Sequence, residues 1–375
     1  MLLMFTKIAG LKIADLVRFA LILGVATVCA TVLGSMASAQ DTAPLSIPSE
    51  FVRELAIPGS MDRFLRPARI VYDRVASELY VADQGNNRIV IFNRQGTYRF
   101  EFAMADRIGS IMDFAVSPDG FLYVLGTTRE GRKLLEFDFD GLFLRELLAG
   151  PDGVATMNVT SLTVSDNGDI HLLDEAVPQL VRVSPEGIIL SKSTILNELD
   201  DKTRTEVAFG SLSTADNSLF LPLSSLGTVH RYTIDGQYMT AYGYKGTTTG
   251  ELGFPVSASM SGDGLVLVLD KQRFNVLCFT PDGKFVGEFG GKGISPGWFY
   301  LPSYLASDES DQVFISQVFL NRVQACRVPG SIQRRYQQSN ASDTLMILSS
   351  DKNTTSADNQ IAGHPNYQPT EGGSQ

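Results

Sequence analysis

Few side chains in this sequence are equipped for catalysis. The histidines are His171, His230 and His364, and a catalytic metal centre would need about three such ligands to converge. His171 and His230 fall in strand-like runs of different order within their repeats, and His364 falls in a polar C-terminal stretch. Ordinary strand residues are therefore expected at the first two. The cysteines are Cys29, Cys278 and Cys326, with no Cys-x-x-Cys pair, so neither a zinc ribbon nor covalently held haem is encoded. The densest polar cluster is Asp83, Asn86, Asn87 and Arg88. Ligand binding would suit it, but so would a tight turn, because Asp accepts backbone N–H groups and Asn tolerates left-handed backbone. Asp270 and Asn275 sit at a comparable turn, which favours the structural reading.

The elements that must position these residues repeat. A turn dipeptide ending in glycine recurs at Gln95-Gly96, Asp140-Gly141, Glu186-Gly187, Asp235-Gly236 and Asp282-Gly283, at spacings of 45, 46, 49 and 47 residues. A second series, which includes Ser77-Glu78, Asp119-Gly120, Asn167-Gly168 and Asp263-Gly264, precedes it on the same period. Between the turns lie apolar or alternating runs of strand length, such as ARIVYD (68–73), ELYVAD (78–83), NRIVIF (87–92) and TYRFEF (97–102). Each unit is thus four antiparallel strands, and six units fit. A linear stack would leave two apolar end faces, whereas a ring leaves none. The sixth unit stops at its third strand, NRVQACRV (321–328), and FVRELAI (51–57) reads like a fourth strand. The expected fold is all-β, a six-bladed β-propeller whose last blade is closed by the N-terminal strand.

RPARIVYDRVASELYVADQGNNRIVIFNRQG (66–96) resembles the NHL repeat, with its proline, apolar strand, "YVAD", "NNRI" and glycine turn. The stretch 254–290 is similar to it, while the other units keep the spacing and lose most marker residues. The resemblance implies a six-bladed propeller and no particular function, since such folds host binding proteins and enzymes alike.

A calcium-dependent lactonase of the gluconolactonase type is the sharpest catalytic alternative. Ca²⁺ takes six to eight oxygen ligands. The strands expected to line the axis offer Arg69, Asp73 and otherwise mainly Ser and Thr, leaving Asp113 as the one carboxylate away from a strand end and a weak metal candidate. Neither cofactor nor catalysis is expected. Cys278 and Cys326 are one step out of register in their units, so they are expected as buried small hydrophobes rather than a bridge.

For recognition, Arg88 and Arg322 would lie near one rim and offer an anion site. Trp298, Phe299, Tyr300 and Tyr304 could form a partner hot spot or pack the ring closure. Loops at Ala103 to Ile111, Ser191 to Val207 and Tyr244 to Phe254 vary most and are expected to carry contacts. The expected partner is a protein or envelope polymer, and the chain is expected to be monomeric. With a net charge of −10 and no basic run, nucleic acid is not expected. With 44% hydrophobic and 19% charged residues the chain is no disordered polymer.

Residues 1–39 read as a secretory signal: Lys7, Lys12 and Arg18, an apolar stretch from Phe19 to Gly34, and Ala37-Ser38-Ala39 for cleavage. That stretch is shorter than the roughly 20 residues a spanning helix needs, so no stable span is expected after cleavage. The expected location is periplasm, cell surface or medium. Residues 40–50 read as an extension, 51–330 as the propeller, and the polar stretch 331–375, interrupted by LMIL (345–348), as a low-complexity tail.

Overall fold

The computed structural model describes residues 46–59, 63–104, 106–150 and 153–328. The expected signal segment and the C-terminal tail lie outside them.

The chain enters with β1 (Glu50–Glu54) and then builds blade one from β2 (Pro67–Asp73), β3 (Glu78–Asp83), β4 (Arg88–Asn93) and β5 (Tyr98–Ala103). Blade two is β6 (Ser110–Val116), β7 (Leu122–Thr128), β8 (Gly131–Phe137) and β9 (Phe143–Leu147). Blade three is β10 (Val159–Val164), β11 (Ile170–Asp174), β12 (Gln179–Val183) and β13 (Ile189–Thr194). Blade four follows a short helix, α1 (Asp201–Thr205), and comprises β14 (Ser213–Ala215), β15 (Ser218–Leu223), β16 (Thr228–Thr233) and β17 (Tyr238–Tyr242). Blade five is β18 (Pro255–Met260), β19 (Val266–Asp270), β20 (Asn275–Phe279) and β21 (Phe285–Gly290). Blade six contributes β22 (Tyr304–Ser307), β23 (Gln312–Gln317) and β24 (Arg322–Arg327), and β1 pairs antiparallel with β24 as its outer strand. Each first strand neighbours the next around the axis, and β2 meets both β6 and β22, so the ring closes. Part of the expected 191–207 loop is strand, since β13 runs to Thr194 before the turn into α1. Asp200 caps α1, accepting from the Thr203 N–H at 3.0 Å.

Strand alternation explains how the ring holds. Successive residues point to opposite blade faces, so Leu172 packs toward blade two and Leu173 toward blade four. Six apolar clusters result, one at each interblade interface. Truncating either leucine to alanine would leave a cavity in one interface, at a cost of about 2–5 kcal/mol.

Closure has a further device. Before entering blade six, the chain lies along the free edge of β21, where the Ile47 N–H donates to the Glu288 carbonyl at 2.9 Å. Ile47 is buried in the core between blades five and six. Gly290 (φ 102°) ends β21 beneath the Phe299 ring, where a Cβ would collide with that ring.

Cys278 and Cys326 are free and buried, yet they do not point away from each other as their register predicts. Facing surfaces of adjacent blades are opposite faces of the repeat, so residues one step out of register point toward each other. Both thiols lie in the core between blades five and six. Burial pushes the Cys278 thiol up and lifts Cys326 to about 12.

Candidate functional site

The axis is plugged from within. Where β2, β6, β10 and β18 meet their second strands, the register shifts between Pro67 and Ile70, Ile111 and Asp113, Val159 and Ser161, and Pro255 and Ser257. Bulges of this kind bend a strand and re-aim its side chains. Asp113, Ser161 and Ser257 follow three of these shifts, and Arg69 lies inside the fourth. Arg69 Nη2 donates to the Leu162 and Leu212 carbonyls at 3.3 and 3.0 Å. Its Nε stands 3.4 Å from Asp113 Oδ1, close enough for an ion pair though not aligned as a hydrogen bond. Asp113 Oδ2 accepts from Ser161 Oγ at 2.6 Å and the Leu162 N–H at 2.9 Å, and Oδ1 accepts from the Phe114 N–H at 2.9 Å. Burial lifts the Asp113 carboxyl above its ordinary range, opposed by Arg69 and these donors. The surrounding serines bond across blades, as Ser213 does to the Ala258 carbonyl and Ser259 to Ser307, both at 2.8 Å.

Two cavities flank this plug and share no lining residue. The smaller, about 260 Å³, opens on the side of the first-to-second strand turns, past Asp73, Pro118, Asp166 and Asp216. The larger, about 470 Å³, opens on the side of the second-to-third strand turns. Its floor is Asp113, Ser161, Ser211 and Tyr304, and its walls include Phe209, Phe254 and Phe319. Burial, then proximity to Asp113, pushes the Tyr304 phenol up to about 12. Arg66, Glu175 and Lys271 stand around it. Glu175 accepts the Thr160 hydroxyl at 2.8 Å, and burial raises its carboxyl above the ordinary value.

The walls are held by a repeated clamp. At the end of the second strand, Asp270 accepts the N–H groups of Gly253 at 2.6 Å, Phe254 at 3.0 Å, and Gln272 and Arg273 at 2.9 Å. Asp83 does the same for Leu65 at 2.7 Å, Asp174 for Asn158 at 3.0 Å, and Gln317 substitutes in blade six, accepting from Tyr300 at 2.8 Å. The aspartate of "YVAD" and its counterparts thus tie the incoming segment to the following turn in blades one, three and five, while blades two and four carry no aspartate there. Asn86 donates to Asp83 at 2.7 Å, and Asn87 takes the left-handed conformation (φ 50°), so the cluster at 83–88 is turn chemistry.

The residues singled out for recognition separate into buried and exposed. Arg88 is buried, donating to Asp83 at 2.9 Å and to both oxygens of Glu101 at 2.8 and 3.0 Å. Arg322 is also buried, with its Nη groups on the Ile294 and Trp298 carbonyls at 2.8 and 3.0 Å. Neither guanidinium is presented to the rim as the anion-site expectation requires, because each neutralises or caps groups beneath it. Phe299 is fully buried against Phe289, while Tyr304 belongs to the axial cavity. Trp298 is 50% exposed and Tyr300 36% exposed. Tyr300 stacks on Phe274 at 6.2 Å and 17°, and Lys292 Nζ lies 5.5 Å from the same ring. Phe274 occupies the left-handed place (φ 61°) that asparagines hold in blades one and six, an unusual conformation for a bulky residue.

Sequence reasoning did not single out Glu175 and Lys271, although each directly follows a clamp aspartate, as Gln84 follows Asp83. A Gly-x-Ser-x-Gly elbow is expected from sequence to be absent, yet Gly293-Ile294-Ser295-Pro296-Gly297 has its spacing, which corrects that expectation. This segment is an interblade loop rather than a strand-to-helix turn. His171 and His230 lie in blades three and four, bonded to Ser165 at 2.8 Å and Tyr232 at 3.2 Å. Burial lowers both imidazoles, His171 to about 4. Among the described residues no cluster of His, Cys, Asp and Glu is arranged to hold a metal ion, and no helix is long and apolar enough to cross a membrane.

No family model matches the chain. A curated relative, the RING finger protein nhl-1 of Caenorhabditis elegans, is 36% identical over 74 residues, covering 20% of this chain and only 8% of that protein. Among solved structures, virginiamycin B lyase from Staphylococcus aureus superposes with a TM-score of 0.50 at 16% identity, covering 75% of this chain and 99% of the lyase. An auxiliary nutrient binding protein from Bacteroides ovatus gives 0.53 at 15%, covering 75% and 77%. A Bacteroides thetaiotaomicron protein of unknown function gives 0.53 at 11%, covering 76% and 73%. With six closed blades, the chain is a six-bladed β-propeller, and over 74 residues it is similar to an NHL protein. The shared architecture serves an enzyme and a binding protein, so function has to be argued from the site.

Proposed function

We propose that this chain is an exported, non-catalytic binding propeller whose working surface is the larger axial mouth with the adjoining rim of blades five and six. The observation that carries this reading is the saturation of Asp113. Its two oxygens face one guanidinium and three hydrogen-bond donors, so Arg69 stands where a cation would have to bind. A Ca²⁺ site would need several further oxygens there, and the neighbouring hydroxyls are committed to bonds between blades. The rim supports binding, since Trp298 and Tyr300 expose aromatic surface on a rigid scaffold, as interface anchors do. The apolar segment at 19–34 and the small residues at 37–39 support export.

The test has three arms. Protein purified without chelator is analysed for metal and assayed for lactone hydrolysis with Ca²⁺ and with EDTA; it should carry no stoichiometric metal and show no chelator-sensitive turnover. Capture of an envelope protein or polymer should be lost when Trp298→Ala and Tyr300→Ala are combined. Mature protein should begin at Gln40. Stoichiometric Ca²⁺ with EDTA-sensitive hydrolysis would overturn the non-catalytic reading.

A further inference from the structure

The larger axial cavity is electrically polarised across its diameter. In a ring of six blades, blade three stands opposite blade six, and blades one and five flank blade six. Glu175 enters the cavity from blade three. Arg66, leading into blade one, and Lys271, following β19 of blade five, straddle blade six, whose Tyr304 and Phe319 lie between them. Among the described residues neither Arg66 nor Lys271 takes part in an ion pair, and Glu175 bonds to the Thr160 hydroxyl, with Arg132 acting on its carboxyl only through space. Phe209 and Phe254 complete an apolar wall. Opposite charges on facing sides of a concavity, with apolar surface between them, complement a molecule built the same way.

We propose that this cavity binds a zwitterionic ligand of amino-acid or dipeptide size with an apolar side chain. The carboxylate lies between Arg66 and Lys271, the ammonium at Glu175, and the side chain against Phe209, Phe254 and Phe319. The cavity of about 470 Å³ is within the usual range for small-molecule sites. The charges lie at a solvent-open mouth, so added salt should weaken the complex. The proposal deepens the binding reading above and rests on it.

Isothermal titration of the whole chain with phenylalanine, with leucyl-phenylalanine and with N-acetyl-leucyl-phenylalaninamide tests it. At least one free zwitterion should bind, the blocked dipeptide should bind at least about tenfold more weakly, and Glu175→Gln and Lys271→Met should each weaken the zwitterion by about tenfold or more. Thermal melting of both variants should match wild type, which separates lost binding from lost folding. Equal binding of free and blocked dipeptide would overturn the zwitterion assignment while leaving the cavity a binding site. No binding by any probe, with envelope capture still dependent on Trp298 and Tyr300, would overturn it and leave the rim reading intact. Loss of both binding and capture would sink the two together.

Discussion

Replacing Asp113 by asparagine should destabilise the whole ring. The carboxylate lies 3.4 Å from Arg69 Nε, and at an effective dielectric constant of about 20 that pair is worth about 5 kcal/mol of direct attraction. Asparagine keeps one acceptor for Ser161 or the Leu162 N–H but leaves the guanidinium buried without its counter-charge, a change that costs about 3–5 kcal/mol in comparable pairs. At about 2–4 °C per kcal/mol for domains approaching this size, Tm should fall by roughly 6–20 °C. Calorimetry and urea unfolding, each in Ca²⁺ and in EDTA, measure it, and the loss should be the same in both. Arg69→Met should also destabilise, less at about pH 5 than at about pH 7. The buried carboxyl, already lifted by burial, binds its proton above the pKa of the unfolded chain, so lower pH favours the folded variant. The double variant Arg69→Met, Asp113→Leu should recover much of the stability, because an apolar pair needs no compensation. A cost under about 1 kcal/mol for Asp113→Asn, or one that appears only with Ca²⁺ present, would refute a buried ion-pair plug at the axis.

Three further outcomes are expected. The His171 imidazole is held down to about 4 by burial, whereas in the unfolded chain it titrates near 6.5, so acid favours unfolding. Stability should fall by up to about 3 kcal/mol as pH drops through that window, and His171→Gln should flatten the pH dependence of urea midpoints there. Asp270→Ala removes the acceptor of four backbone N–H groups and should cost about 2–4 kcal/mol, with faster hydrogen exchange at Gly253, Phe254, Gln272 and Arg273 as the local readout. Cys278 and Cys326 should resist an aromatic disulfide reagent in the native protein and both react in urea; rapid native labelling of either would contradict the packing between blades five and six.

Blade number, strand order within a blade and the use of the N-terminal strand to close the ring were legible in the sequence. Each is written in local patterns, namely paired turn series on one period and alternating apolar runs between them. The turn role of Asp83, Asn86 and Asn87 was legible for the same reason, since a turn is built from neighbours in sequence. The tertiary structure alone decided what meets across blades. Asp113 reaches Ser161 because stacking of consecutive blades sets residues 48 apart side by side at the axis. Arg69 is committed at the hub, Arg88 is drawn inward by Asp83 and Glu101, and the two cysteines share a core because neighbouring blades present opposite faces. Glu175 and Lys271 acquire a common cavity only when blades three and five are arranged about the same axis. Periodicity specifies the spokes, but the long-range closure of the ring decides which side chains converge at its centre.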